Sequence, residues 1–341
     1  MPSLRNAGLR NNLKALVTGA TGFIGSHLVE LLLAKGYEVI CTVRPTSDLI
    51  WLKGLNIRLV QGDITDRESL VVPVKEADYI FHVGGITKAK KEAEYYKVNA
   101  DGSRMLYEVC LEHNPGIKKI VHLSSLAAGG PAQIGRPRVE TDADSPLTFY
   151  GKSKLEGEKY AVQYSKFLPI TILRPPAVYG PREKDIFFYF QLISKHLKPQ
   201  LGWSKKYLSL VHVTDLVNAA LLSAESPKSH GQIYYVDDGC IYTWQDLSSE
   251  IQNAIQTWTL PLLVPEWLIA AAAYVSEALA SLSSKPALLN KQKIIELKQK
   301  SWATSSDKIR NDLGFQSEYD LKKGCTETVK WYREHGWIKL K

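Results

Sequence analysis

The sequence is poor in the residues that make covalent or metal cross-links. Four cysteines, Cys41, Cys110, Cys240 and Cys325, stand far apart among 341 residues, and no CxxC pair occurs. This argues against a disulfide framework and fits free thiols in a reducing compartment, with the cytoplasm as the expected location. The eight histidines show neither HxxxH nor HExxH spacing, so no metal is expected. Long apolar runs are also missing. Met1 to Asn12 is polar, and the run from Leu13 to Val17 is too short for a signal-peptide core. The most hydrophobic stretch, Leu260 to Leu282, is broken by Pro261, Pro265, Glu266 and Glu277, which makes it a poor bilayer span. It can still lie on a membrane surface, line a substrate site or form a helical core. There is no internal repeat. Acidic residues fall short of basic ones, 35 against 43, for a net charge of +8. The densest basic stretch, Lys88 to Lys91, runs straight into Glu92 and Glu94, as on a solvated helix face. An anionic small molecule suits the charge, and no nucleic-acid partner is expected.

What is present is alternation. Ala15-Leu16-Val17 reads as a short buried strand, and Phe23 to Ala34 as a helix closed by Gly36. Strands are expected at Glu38–Val43, Arg58–Asp63, Tyr79–Val83, Lys119–Ser125 and Ile170–Arg174, with helices over Tyr96–Leu111 and Tyr150–Tyr164. Strands alternating with helices, and apolar nearly throughout, predict an α/β fold of the Rossmann type, a doubly wound parallel sheet covered on both faces. This dinucleotide-binding part spans 13–175. Beyond Pro175 the pattern loosens into a smaller, mostly helical substrate domain, 176–341, ending in a helix over Tyr319–His335. Strand-like pieces at Ser209–Val213 and Gln232–Val236 are expected to return to the first sheet.

The first strand opens into Thr18-Gly19-Ala20-Thr21-Gly22-Phe23-Ile24-Gly25. Small residues there let backbone amides and a helix N-terminus approach a pyrophosphate, which makes Gly19, Thr21, Gly22, Phe23, Ile24 and Gly25 candidate cofactor contacts. The second strand ends in Val43-Arg44-Pro45, with no acid before Asp48. An acid at that point holds a ribose 2′-hydroxyl, whereas an arginine accepts a 2′-phosphate, so Arg44 points to NADP(H) rather than NAD(H). Asp63 sits where the adenine edge should lie.

Tyr150 and Lys154 stand four residues apart and so share one helix face. A phenol titrates near about 10, and a neighbouring ammonium is expected to lower that value by roughly 1–3 units. Ser125, at the end of the preceding strand, offers a hydroxyl to a reacting carbonyl, on the sheet edge where such sites form.

These pieces together resemble an extended short-chain dehydrogenase/reductase, of the NAD-dependent epimerase/dehydratase superfamily. The match is carried by Thr18–Gly25, Gly62-Asp63-Ile64, Phe81–Gly85, Val98–Gly102, Val121–Ser125, Tyr150 with Lys154, Leu173–Pro181 and Val211–Asp215, and by Leu313-Gly314-Phe315 with Trp331-Tyr332. The resemblance implies that Tyr150 is the acid–base, that Lys154 tunes it and binds ribose, and that Ser125 polarises the carbonyl. It further implies that Ile64, Val83, Gly84, Gly85, Pro175 and Val178 line the cofactor, and that Asn99, Ser124, His82 and His212 are structural. Family members commonly pair the helices at 96–111 and 150–164, so a homodimer is expected. In pattern the chain is most similar to dihydroflavonol reductase and 3β-hydroxysteroid dehydrogenase-like members. Nucleotide-sugar enzymes often carry Asn at the position of Ala177 and Arg just before the segment matching Leu210. Their absence favours a ketone or alcohol on a largely apolar molecule. A nucleotide-sugar epimerase or dehydratase with bound NAD is the alternative, and a non-catalytic NADP(H) sensor is the second.

Overall fold

The computed structural model describes residues 13–281 and 290–338; the expectation for Met1 to Asn12, and Leu282 at the end of the apolar stretch, lie outside them. In chain order the elements begin β1 (Lys14–Thr18), α1 (Phe23–Ala34), β2 (Glu38–Val43), β3 (Arg58–Gln61), α2 (Arg67–Glu76) and β4 (Tyr79–His82). A short helix α3 (Glu92–Tyr95) runs through a π-helical turn at Tyr96–Asp101 into α4 (Gly102–His113). Then follow β5 (Lys119–Leu123), α5 (Leu126–Gly129), α6 (Phe149–Tyr164) and β6 (Ile170–Arg174).

The second part is woven back and forth. It holds β7 (Ala177–Tyr179), α7 (Phe187–Ser194), β8 (Leu197–Leu201), β9 (Tyr207–Leu208), β10 (Leu210–His212) and α8 (Val213–Glu225). Next come β11 (Ile233–Tyr235), β12 (Tyr242–Thr243), α9 (Trp244–Ile255), β13 (Leu260–Val264) and α10 (Glu266–Ser281). The chain closes with α11 (Lys291–Lys298), β14 (Ser301–Trp302), α12 (Asp307–Leu313) and α13 (Leu321–Glu334).

The main sheet has seven strands in the order β11-β6-β5-β4-β1-β2-β3, all parallel. Strands β5 and β6 are buried at every residue, as a sheet covered on both faces requires. One core, around Leu28, Leu32, Val121 and Leu216, lies under α1 and α8. The other, around Leu70, Leu106, Tyr107 and Ala161, lies under α2, α4 and α6. The doubly wound Rossmann expectation therefore holds. A third cluster, around Phe190, Leu210, Ile251, Val329 and Tyr332, fills the second part.

Several boundaries differ from expectation for local reasons. The third strand stops at Gln61 because Asp63 turns the chain: its Oδ1 accepts both the Thr65 N–H and the Thr65 hydroxyl at 2.8 Å. The fifth strand stops at Leu123 because Ser125 caps α5, accepting the Ala127 N–H at 3.1 Å. The piece at Gln232–Val236 does join the main sheet, as β11. The piece at Ser209–Val213 does not. Its strand β10 pairs instead with β7. The second part also holds short strands in place of part of the expected helix, including the parallel pair β8–β13. No helix among the described residues is long and apolar enough to cross a membrane.

One buried ion cluster joins three elements. Arg174, at the end of β6, is almost wholly buried. Its Nε lies 3.0 Å from Glu158 Oε1 on α6, its two terminal nitrogens meet both Asp144 oxygens at 2.8 and 3.0 Å, and it donates to the Tyr235 hydroxyl on β11 at 3.2 Å. These bonds hold the guanidinium charged, raising its pKa despite burial. Removing one partner of such a pair strands the other charge. Arg174→Met is expected to lower the unfolding free energy by about 3–5 kcal/mol in urea titrations, and Arg174→Met/Glu158→Leu by less than the single change. Equal stability of Arg174→Met and wild type would contradict this.

Candidate active site and dinucleotide cradle

The predicted cofactor contacts and Ser125 follow the C-terminal ends of the main-sheet strands, whereas Tyr150 and Lys154 stand on α6. Gly19 to Gly25 follow β1, Arg44 follows β2, Asp63 and Ile64 follow β3, Val83 to Gly85 follow β4, Ser125 follows β5, and Pro175 to Val178 follow β6. This is the edge at which open parallel sheets bind ligands.

The glycine loop is built for close approach. Gly19 has a φ of +72°, and a Cβ there would lie 2.7 Å from the Gly84 nitrogen. A Cβ on Gly25 would lie 2.2 Å from the Gly19 carbonyl oxygen. These contacts draw the turns after β1 and β4 together. Gly22, by contrast, is exposed and would meet only the Gly19 oxygen at 3.3 Å. It occupies the N-cap of α1 and supplies no side-chain cap, and no acidic residue stands in the first turn. The helix therefore presents uncapped amides to the open side of the loop, which suits an anionic pyrophosphate. Arg44 is exposed at the end of β2, and its guanidinium pairs with no carboxylate among the described residues.

Polar side chains tie this cradle to α6. Gly84 N–H donates to Thr18 Oγ1 at 3.1 Å. Thr18 Oγ1 lies 2.8 Å from His82 Nδ1, and His82 Nε2 lies 2.9 Å from Ser103 Oγ, which donates to the Asn99 carbonyl at 2.7 Å. Asn99, on the π-helical turn, accepts the Ile86 N–H at 2.9 Å and donates to the Ile86 carbonyl and to Ser153 Oγ, each at 3.0 Å. Ser153 in turn donates to the Tyr150 carbonyl at 2.8 Å. Both His82 ring nitrogens are engaged, and burial brings its pKa down to about 3. His212 is buried and stacks on Tyr319 at 4.1 Å, with its pKa likewise lowered to about 3 by burial. Both imidazoles are therefore neutral near pH 7.

Thr148 caps α6, accepting the Gly151 N–H at 3.1 Å, and so sets Tyr150 in the first turn. The Ser125 hydroxyl, on α5, which packs against α6, is close enough to the Tyr150 phenol to favour its charged form. Lys154, one turn on, is buried and donates to the Leu123 carbonyl at 2.6 Å, and its Nζ comes within 3.8 Å of where a Gly85 Cβ would be. Burial lowers its pKa to about 8, against the raising influence of Glu158. The phenol departs from expectation. Burial pushes Tyr150 up to about 12; the Ser125 hydroxyl opposes this, while Glu296 and Tyr95 add to it. Desolvation outweighs any help from the Lys154 ammonium, whose hydrogen bond goes to the Leu123 carbonyl.

Two contributors were not foreseen from sequence. Helix α11 lies against the start of α6: Phe149 N–H donates to Gln292 Oε1 at 2.8 Å, and Thr148 Oγ1 donates to Glu296 Oε1 at 3.4 Å. These contacts span 143 and 148 residues, and no local motif marks them. An open groove of about 640 Å3 along α13, lined by Pro181, Lys323 and Trp331, holds none of the predicted residues.

The model of the NAD dependent epimerase/dehydratase family matches residues 15–236. The chain belongs to that family. It is an extended short-chain dehydrogenase/reductase, and the family depends on a nicotinamide dinucleotide. Over 326 residues it is 29% identical to a ceramide reductase of Caulobacter vibrioides (strain NA1000 / CB15N), covering 94% of this chain and 95% of that protein. Over 266 residues it is 31% identical to a UDP-glucose 4-epimerase of Vibrio cholerae, covering 74% of this chain and 79% of that protein. Among solved structures, the UDP-glucose 4-epimerase of Thermotoga maritima superposes with a TM-score of 0.79 at 23% identity, covering 95% of this chain and 99% of that one. At that identity the likeness concerns the fold.

Proposed function

We propose that the chain is an NADP(H)-dependent oxidoreductase that interconverts a ketone or aldehyde and an alcohol on a largely apolar molecule, with Ser125, Tyr150 and Lys154 as its catalytic residues. The observation that carries the reading is the packing of α5, capped by Ser125, against the first turn of α6, which sets the Ser125 hydroxyl and the Tyr150 phenol beside the buried Lys154. A nicotinamide held in this cradle would supply the hydride that the carbonyl carbon accepts. Ser125 donates a hydrogen bond to the carbonyl oxygen, and Tyr150 gives that oxygen its proton. Lys154, held at the Leu123 carbonyl, favours the phenolate that remains and binds the ribose. Uncapped α1 amides hold the pyrophosphate, and Arg44 holds the 2′-phosphate.

The substrate class rests on missing donors. A sugar diphosphate needs cations or N–H groups in its cleft, because unpaired buried charge is unfavourable. Ala177 offers none, and Ser209 is buried with its hydroxyl accepting the Thr304 N–H at 3.0 Å. Arg182 is committed elsewhere: it ion-pairs with Glu30, donates to Ser26 at 3.1 Å and lies 4.9 Å from the Trp51 ring centre. The ceramide reductase relative, matched almost end to end, acts on a lipid by its name. The Vibrio relative favours a second reading, a nucleotide-sugar epimerase with retained NAD, for which the exposed Lys184 is a remaining donor. Steady NADPH oxidation with an apolar ketone is expected. Tightly retained NAD with conversion of a UDP- or dTDP-sugar, without added cofactor, would reverse the assignment.

Lys154 sets the pH profile. Its amine is charged below about 8, so the reduction rate should fall as pH rises through about 8. Tyr150→Phe should lose about 10²–10⁴ in rate across the profile while still binding cofactor. Near-full turnover by that variant would remove Tyr150 from the mechanism.

Arg44→Ala should weaken NADPH by about 1.5–3 kcal/mol and leave NADH binding unchanged. Calorimetry showing equal wild-type affinity for the two dinucleotides would refute the assignment of Arg44.

A homodimer through α4 and α6 accords with the exposed Leu111 and Val162 on those helices. Light scattering at micromolar concentration should return twice the chain mass; a monomer mass would exclude it.

A further inference from the structure

Strand β13 and helix α10 reverse the usual burial. Trp258, Leu260 and Leu262 alternate along the strand and its approach, and all three side chains are exposed, Trp258 and Leu260 by 62% and 59%. Residues two apart share one face of a strand, so this is a continuous apolar strip facing water. On α10, Trp267, Ala271 and Tyr274 are spaced as one helix face and are exposed, while Ala273 is fully buried. Trp267 and Tyr274 stand 70% and 57% open. The parallel pairing of β8 with β13 brings a further tryptophan to the same end: Gly202 N–H donates to the Val264 carbonyl at 3.0 Å, and Trp203, next in the chain, is 82% exposed. Contiguous exposed apolar surface of this kind marks an interaction site.

Its composition and charge select the partner. Tryptophan and tyrosine beside leucine and alanine are the residues that settle at a membrane–water boundary. Lysines stand at both ends of the strand pair. Lys195 precedes His196, which stacks on Trp258 at 4.2 Å, and Lys205 follows Trp203 by two residues. Both are exposed and pair with no carboxylate among the described residues. At the helix, Lys291 lies 5.0 Å from the Tyr274 ring centre and 3.7 Å from Glu277, so charge there is balanced. Two copies meeting on this face about a two-fold axis would each bring unpaired lysines to the contact. An anionic surface gains from the same lysines.

We propose that the β13–α10 surface docks the protein on an anionic lipid bilayer and presents an apolar substrate to the site. The delivery half rests on the oxidoreductase reading above. A short path supports it: α10 packs on α11, and α11 supplies Gln292 and Glu296 to the start of α6, where Tyr150 stands. An apolar ketone dissolved in the bilayer would thus leave it one helix away from the phenol.

Flotation of the full chain separates the two halves. The wild type should float with vesicles of phosphatidylcholine containing one-third phosphatidylglycerol. It should bind phosphatidylcholine vesicles weakly, and added salt should release it. The triple change Trp258→Ser, Leu260→Ser and Trp267→Ser should lower vesicle affinity by about tenfold or more, with an unchanged circular dichroism spectrum. Lys195→Glu with Lys205→Glu should abolish the preference for the anionic vesicles. Wild type that stays with the unbound fraction, or a triple variant that floats equally well, overturns the docking face. A triple variant whose native mass halves, in a protein that ignores vesicles, assigns the surface to a second copy instead. Flotation without NADPH-dependent turnover of any apolar ketone leaves the docking face in place and removes the delivery role.

Discussion

The geometry of the site depends on the amide of Asn99. It reaches Ile86, in the chain that leaves β4, and Ser153, on α6, from a helical turn widened by one residue. Through Ser153 it fixes the backbone of Tyr150, and through Ser103 and His82 it reaches Thr18 and the turn beside Gly19. Helix α6 and the glycine loop are thereby positioned by one set of satisfied buried polar groups. Such a network is stable only when complete, because each unpaired member would carry its own desolvation penalty. His82 belongs to this network: both its ring nitrogens are occupied, and burial holds it neutral.

A second constraint is electrostatic. Lys154, Glu158 and Arg174 are all deeply buried at the junction of α6 with the sheet. Glu158 faces the Arg174 guanidinium, and it also raises the Lys154 pKa against burial. The ion cluster that fastens β6 and β11 to α6 is thus also a source of the field at the Lys154 ammonium. Structural charge and site chemistry are not separable here.

The first half of the chain was readable because its determinants are local. Phe23–Ala34, Glu38–Val43 and Ile170–Arg174 follow from apolar runs bounded by glycine or proline, and the glycine loop and the Tyr150–Lys154 spacing sit on those elements. The ends of strands were less readable. They turn on single side chains such as Asp63 and Ser125, whose hydrogen bonds to the following residues stop the ladder. Past Pro175 the reading caught β11 and the closing helix but missed the short strands, for a different reason. Strands of two or three residues, such as Tyr207–Leu208 paired with both Tyr242–Thr243 and Ser301–Trp302, carry no usable period and exist only because distant partners meet. The same holds for Gln292 and Glu296, which reach the catalytic helix from an otherwise unremarkable lysine-rich segment. Composition did mark the Leu260 stretch as unusual, but could not decide between core, cleft and surface, since burial is a property of the packed chain.

The seventh strand of the main sheet, β11, arrives only after the chain has made an excursion of nearly sixty residues beyond β6. Until it arrives, β6 is a bare sheet edge, apolar and buried at every residue in the finished fold, with a full row of unpaired N–H and C=O groups. During synthesis the first six strands emerge ahead of the strand that seals them, and the interval exposes an adhesive template to neighbouring chains. The interleaving of the two parts therefore carries a kinetic liability. A protein cut after residue 175 would keep the whole glycine loop and helix α6, and yet would be prone to aggregate through the edge that β11 covers.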